Sequence, residues 1–128
     1  MNLKEMMLEY LRQEGFCPQE NPFGLTFKCE EMKFLFFYDQ EDDQYFRLMM
    51  PDIFEVTDEN RDIVLEALNE TNTMVKVVKA YVPSEFNSVW IGFEVLIDRT
   101  PELNDIVPRS ICMLITACEA FYEALRKG

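Results

Sequence analysis

The chain has 128 residues, enough for one domain whose core buries about two-thirds of the surface of the unfolded chain. Apolar residues make up 48% and charged residues 28% of the sequence, which is typical of a packed globular domain and excludes a disordered chain. With 12 basic and 24 acidic residues the net charge is −12, and no basic patch is visible along the sequence. We expect one domain, residues 1–128. Because its negative charge would repel nucleic-acid phosphates, we expect it to bind no nucleic acid.

Histidine is absent, and this restricts the chemistry more than any other feature of the composition. Its absence removes the commonest general base, the nucleophile systems that depend on an imidazole, and imidazole metal sites. The four cysteines form no Cys-x-x-Cys pair, which favours buried free thiols over a zinc site. We expect no catalytic residue, no metal and no cofactor. Catalysis by a pair of carboxylates stays open, since acidic residues are too numerous for any pair to be informative.

The ends of the chain indicate no targeting or membrane segment. Lys4, Glu5 and Glu9 near the N-terminus are not followed by an apolar stretch, which is unlike a signal peptide or an anchor. The apolar run Ile111–Ile115 is far shorter than the roughly 20 residues that a membrane span requires. We expect a cytoplasmic protein.

Hydrophobic periodicity predicts a first helix over residues 2–14, followed by three strands. Alternating apolar residues mark strands near 25–29, 33–38 and 45–50, with a tight turn at Glu30 and Glu31 and a polar connection at 39–44. These strands form an antiparallel meander, and Pro51, which has no N–H to donate, is expected to close the third one.

The polar connection carries four acidic residues, which makes it the nearest approach to a metal site. A calcium-binding EF-hand loop that began at Asp39 would need glycine and an acid where Gln44 and Met50 stand. A solvated hairpin tip is therefore the favoured interpretation.

The second half of the chain predicts a helix, a hairpin and a long final helix. Thr57 and the acids after it favour a helix start there, and the helix is expected to end within 69–73. Strands are predicted over 74–82 and 89–98, with a turn at 83–88, and a helix over 103–127 that contains Pro108. The order helix, three-stranded antiparallel meander, helix, β-hairpin, helix belongs to the α+β class.

The element order, the size and the acidic composition resemble the type III secretion chaperone-like fold, and within it the YbjN-type family of candidate bacterial sensory-transduction regulators. The segment 68–72, Leu-Asn-Glu-Thr-Asn, followed by Lys76, Lys79 and Tyr81, is similar to the stretch in which an asparagine-rich helix end leads into a strand in that family. The resemblance implies a non-enzymatic, often dimeric protein that binds other proteins, and no ligand or catalytic motif accompanies it.

Four residues are candidates for contact with a partner protein: Trp90, Phe86, Tyr81 and Met49. Trp90 is out of step with Ile91 and Phe93, so it lies on the opposite face of the strand. An exposed aromatic side chain on an acidic surface could anchor an apolar segment of a partner. Packing of Trp90 under a loop or a helix is an equally open alternative.

The final helix is apolar on more than one side, which indicates two neighbours. The sheet is one of them. The other is either a helix of the same chain or a second subunit, and a homodimer is favoured, with contacts through Leu114, Cys118, Phe121 and Tyr122.

The sequence thus favours a protein-binding module, chaperone-like or regulatory, that uses apolar grooves and an exposed strand edge. Its net charge of −12 favours basic partners. The alternative is a small-ligand sensor with a pocket between the sheet and the final helix. A sensor would show an enclosed cavity with converging polar groups, whereas a binding module would show an exposed apolar patch.

Overall fold

The computed structural model describes all residues from Met1 to Gly128. Three helices and six strands follow one another along the chain. The helices are Leu3–Gln13 (α1), Arg61–Met74 (α2) and Leu103–Lys127 (α3). The strands are Gln19–Asn21 (β1), Gly24–Cys29 (β2), Met32–Phe37 (β3), Tyr45–Glu55 (β4), Val78–Tyr81 (β5) and Ser88–Leu96 (β6). The predicted α+β class and order of elements are confirmed, with β1 added.

All six strands form one antiparallel sheet in the order β1-β2-β3-β4-β6-β5. The last strand of the meander, β4, pairs with β6, so the meander and the β5–β6 hairpin join in the middle of the sheet. The chain passes through α2 between β4 and β5, which places the short strand β5 at the edge. None of the helices combines the length and the hydrophobicity that a bilayer-spanning segment requires.

The helices cover one face of this sheet, and the core lies between them. Strand residues on that face include Phe34, Phe36, Phe46 and Ile91, which are fully buried. They form one cluster with buried residues of all three helices. Because side chains alternate along a strand, the other half of each strand faces away from the helices.

Two turns fix the ends of the meander strands. Glu30 and Glu31, both with positive φ (53° and 67°), form the two-residue turn between β2 and β3 that the sequence predicted. In the acidic β3–β4 connection, Asp43 Oδ1 accepts hydrogen bonds from the Leu3 N–H (2.8 Å) and from the Tyr38 hydroxyl (2.9 Å). One carboxylate therefore joins the connection to the start of α1.

The prediction that Pro51 closes the third strand is wrong, because β4 continues to Glu55. The pairing with β6 shifts register between Met50 and Phe54, and Asp52 takes a positive φ of 52°. An irregularity of this kind accommodates the missing N–H of proline inside a strand.

The start of the hairpin also differs from the prediction. Met74 is the last residue of α2 rather than the first of a strand, and Val77 has a φ of +57°, so β5 begins only at Val78. The preceding helix begins at Arg61, later than predicted, because Thr57 and Asn60 bond to each other's backbone N–H (3.2 and 2.8 Å) in a turn before it.

Candidate functional site

A groove lies between β6 and α3, and it exists because β6 is much longer than its outer neighbour. β6 has 9 residues and β5 has 4, and their pairing stops at Val78 and Phe93. Beyond that point the outer side of β6 has no strand beside it. We call the resulting depression, about 990 Å³ in volume, the β6–α3 groove. Its apolar lining comes from Val77, Phe93, Val95, Leu96, Ile97, Pro101, Ile106 and Met113.

Several of these apolar side chains are in contact with water. Leu96 is 79% exposed, Val77 63% and Val95 37%. Val95 lies on the helix-covered face of β6, like Phe93, and Val77 lies just before β5, so these two side chains flank the end of the β5–β6 pairing. The Leu96 side chain, on the same strand face as Glu94, points to the opposite side of the sheet. Exposed apolar side chains grouped in one depression mark an interaction site more often than an isolated exposed leucine does.

The backbone of β6 is also unpaired along the groove. The Ile97 N–H donates to the Gln44 carbonyl across the β4 side (2.8 Å). Backbone groups of an antiparallel strand alternate in direction, so those of Glu94 and Leu96 point away from β4, toward the side where β5 has not yet begun. This short edge can accept a further strand.

The outer edge of β5 is protected, in contrast to that of β6. The Asn72 side chain accepts a hydrogen bond from the Ala80 N–H (2.8 Å) and donates one to the Ala80 carbonyl (2.9 Å). Asn72 thus occupies the backbone groups that a neighbouring strand would use. It joins the end of α2 to β5, a role that the sequence does not indicate.

The rim of the groove carries more acid than base. Asp98 and Glu102 line the groove and form no ion pair, whereas Asp105 pairs with Arg109 at 3.5 Å. Lys76 is the other basic residue of the lining. The net charge of these five groups is −1, from three carboxylates and two cations, so the rim weakly favours a basic occupant.

The opposite face of the sheet carries three of the predicted contact residues. We call it the open face; it includes Phe37, Arg47, Trp90 and Glu94. Trp90 lies there, opposite Tyr81 on β5, and the Phe86 ring is 5.2 Å from the Trp90 ring. The sequence thus placed Trp90 on the correct face, and the structure brings Trp90, Tyr81 and Phe86 together.

Met49, the fourth predicted contact residue, corrects the sequence-based assignment. It belongs to the open face but is only 1% exposed, and it lies opposite Gly92 and Leu35 on the neighbouring strands. Its neighbours cover it, so Met49 has no exposed surface that a partner could contact.

A polar network crosses the open face. The Tyr45 hydroxyl donates to Glu94 Oε2 (2.6 Å), and Lys79 Nζ donates to Glu94 Oε1 (2.9 Å). The hydrogen bond from Tyr45 lowers the pKa of Glu94, with Lys79 acting in the same direction. Burial and the bond to Glu94 raise the pKa of Tyr45 to about 12.

The four predicted dimer-contact residues divide into two pairs. Leu114 and Phe121 are fully buried in the core of a single chain, so their assignment to a subunit contact is corrected. The second neighbour of α3 is α2, with α1 also in contact, which is the same-chain alternative. Cys118 is half-buried, and Tyr122 is 37% exposed with its hydroxyl donating to the Ile53 carbonyl (2.7 Å).

The cysteines are free thiols, and two of them differ from the expectation of burial. Cys17 and Cys112 are exposed, while Cys29 and Cys118 are half-buried. Burial raises the pKa of the Cys29 and Cys118 thiols, so both are weak nucleophiles at neutral pH.

Comparison with known proteins identifies the fold alone. No protein-family model and no curated protein matches the sequence. The crystal structure of YbjN from E. coli, a candidate transcription regulator, is similar with a TM-score of 0.68 and 12% identity, over 94% of this chain and 89% of that chain. An uncharacterized protein from Methanothermobacter thermautotrophicus is similar with a TM-score of 0.65 and 16% identity, over 97% of this chain and 96% of that chain. The chain therefore has a YbjN-like fold, as the resemblance implied.

Proposed function

We propose that this chain is a non-enzymatic protein-binding module, chaperone-like or regulatory, whose partner binds as an extended segment in the β6–α3 groove. The observation that carries the proposal is the coincidence of exposed apolar side chains with an unpaired strand edge. Backbone groups at Glu94 and Leu96 would bind the partner's main chain, and the apolar lining would take alternate side chains.

Charge supports a basic partner. The chain carries −12, and Asp98 and Glu102 stand unpaired at the rim. Opposite charge accelerates the encounter and discriminates among partners more than it adds to affinity. We therefore propose a segment in which apolar residues alternate with lysine or arginine.

The resolved shifts of carboxyl pKa support a non-enzymatic role. The pKa values of Glu94 and Glu123 are both lowered, each chiefly by a hydrogen bond, from Tyr45 and Arg126 respectively. A general acid working near neutral pH needs a shift in the opposite direction.

The second candidate function is a small-ligand sensor, and the position of the groove favours it. The groove lies between the sheet and α3, and its volume of about 990 Å³ is at the upper end of the range for small-ligand sites. Its exposed walls at Val77 and Val95 fit an extended segment better than an enclosed ligand.

Peptide binding to defined variants tests the proposed function. We expect a ten-residue peptide that alternates valine with lysine to bind the chain measurably, and its glutamate counterpart to bind at least tenfold more weakly. Val95→Lys removes an apolar contact inside the groove and adds a repelling charge, so it should weaken binding of the basic peptide at least tenfold. Titration calorimetry or fluorescence anisotropy measures both effects.

The matched control is Leu65→Lys. Leu65 is an exposed leucine on α2 outside the groove, so the same added charge there should leave the affinity within about twofold. Equal losses in the two variants, or no binding of any peptide, would contradict the proposal. Stabilisation by a small molecule, lost in Val95→Lys but not in Leu65→Lys, would favour the sensor instead.

A further inference from the structure

Arg47 is half-buried on the open face and forms no ion pair with an acidic side chain. Its guanidinium carbon lies 4.7 Å from the centre of the Phe37 ring, and Nη2 donates to the Tyr81 hydroxyl at 3.2 Å. Nε is buried and makes no hydrogen bond. A guanidinium has five N–H donors, and buried charged groups are normally paired.

The adjacent carboxylate of Glu94 interacts with Arg47 through its charge, which helps to lower the Glu94 pKa, but it makes no ion pair with the guanidinium. Glu94 lies directly opposite Arg47 on β6, but its two oxygens are engaged by Tyr45 (2.6 Å) and Lys79 (2.9 Å). Arg47 forms no ion pair with any of the chain's 24 acidic residues. Nη2, bonded to the Tyr81 hydroxyl, is the one nitrogen of the guanidinium with a partner, so the two parallel hydrogen bonds by which this planar fork matches a carboxylate are not made within the chain.

The surroundings of Arg47 define the kind of anion. Arg47 and Lys79 oppose the single charge of Glu94, which gives a local charge of +1 in a chain of −12. A carboxylate, with one negative charge, would neutralise this group, whereas a dianion would overcompensate it.

The shape of the face defines what carries the anion. Gly92 contributes no side chain between Glu94 and Trp90, and the side chain of Met49, on the neighbouring strand and the same face, lies 3.6 Å from where a Cβ would be. The guanidinium lies over the Phe37 ring, and the Tyr81 hydroxyl accepts a hydrogen bond from its Nη2. Apolar floor and aromatic walls suit a carboxylate attached to a flat or apolar group.

We infer that the open face holds a carboxylate-binding site centred on the Arg47 guanidinium, with Phe37 and Tyr81 contacting the group that bears the carboxylate. The site is on the opposite side of the sheet from the β6–α3 groove and does not depend on the function proposed for it. The carboxylate comes either from a free aromatic acid or from an acidic side chain of a peptide.

Titration with carboxylates and their neutral counterparts tests the site. The probes are benzoate against benzamide, and the blocked peptide Gly-Phe-Glu-Phe-Gly against its glutamine version. Trp90, the single tryptophan, reports from the same face by fluorescence, and the Arg47 Nε–H resonance reports by NMR. We expect saturable binding of at least one carboxylate, at least tenfold tighter than its neutral counterpart, and the tighter carboxylate identifies the source.

Three variants make the test specific. Arg47→Met should weaken binding at least tenfold, while Arg12→Met, at an exposed arginine on α1, should leave it unchanged. Arg47→Lys keeps the charge but lacks the planar fork, so it should also weaken binding, and it covers the case in which Arg47→Met fails to fold. Equal binding of acid and amide, equal losses at Arg12 and Arg47, or no saturable binding of any probe would overturn the inference.

Discussion

At the scale of single residues, the hydrogen bond between Tyr45 and Glu94 links two ionisations. Glu94 has a lowered pKa, so its contribution to stability is present above the unfolded pKa of a glutamate and is lost as pH falls through the lowered folded value. Tyr45 has a pKa raised to about 12, so its contribution is full below the tyrosine value of 10 and is lost as pH rises toward 12.

Replacing Tyr45 separates these effects. In Tyr45→Phe the largest cause that lowers the Glu94 pKa is gone, so that pKa should rise toward its ordinary value, measured by NMR of the Glu94 carboxyl carbon. The variant should also show a smaller loss of unfolding free energy between pH 10 and 12 than the wild type, in which Tyr45 adds to the contributions of Tyr10, Tyr38 and Tyr122.

Tyr10→Phe is the control for this prediction. Tyr10 also has a raised pKa, caused by burial and by Glu14, but it lies on α1 and not on the open face. An unchanged Glu94 pKa in Tyr45→Phe, or an equal change in Tyr10→Phe, would contradict the assigned cause.

At the scale of elements, α3 is a core helix of its own chain. Leu114 is fully buried against the sheet and the other helices. Leu114→Ala should therefore lower the free energy of unfolding by about 3 kcal/mol, since it removes buried methyl groups and leaves a cavity. Denaturant unfolding at two protein concentrations should give the same loss, because the contact lies within one chain.

Thr116→Ala is the matched control on the same helix. Thr116 is exposed, so its replacement should change the free energy by less than about 0.5 kcal/mol. A loss in Leu114→Ala that grew as the protein was diluted would return Leu114 to a subunit contact.

The elements that sequence predicts well are those with a strong local pattern. The bounds of α3, residues 103–127, were predicted correctly because its apolar periodicity extends over the whole segment. β1 was missed, since Gln-Glu-Asn has no strand preference and pairs only because β2 lies beside it. β5 was predicted too long, because the residues before it have high strand propensity while Val77 takes a left-handed conformation.

The candidate sites also differ in how much of each could be predicted from the sequence. Alternation along β6 predicted the face on which Trp90 lies, because that needs only the period of a strand. The groove could not be predicted, since it depends on where β5 ends against β6 and on where α3 crosses the sheet. Arg47 forms no ion pair although Glu94 lies opposite it, because Tyr45 and Lys79 donate to the two oxygens of Glu94. No sequence pattern predicts that arrangement.

At the scale of the whole molecule, a charge of −12 opposes self-association. We propose that the chain nevertheless forms a homodimer, through surfaces other than Leu114 and Phe121. Salt should then strengthen the dimer, because it reduces the repulsion between the two negative chains. The Debye length, over which charges act on each other, falls from about 10 Å at 0.1 M to about 3 Å at 1 M ionic strength. Sedimentation velocity should show the dimer fraction rising with sodium chloride, and a constant monomer mass at every salt concentration would refute the dimer.

The bond from Asp43 to the start of α1 has a consequence for biosynthesis. α1 leaves the ribosome before the carboxylate that receives its Leu3 N–H, and well before α3, against which it packs. Its apolar residues Leu3, Met7 and Leu11, all fully buried in the finished protein, can contact β2 early but lack the contacts that α3 supplies until late in translation. The nascent chain thus carries an amphipathic helix that remains partly uncovered until α3 is available to pack against it.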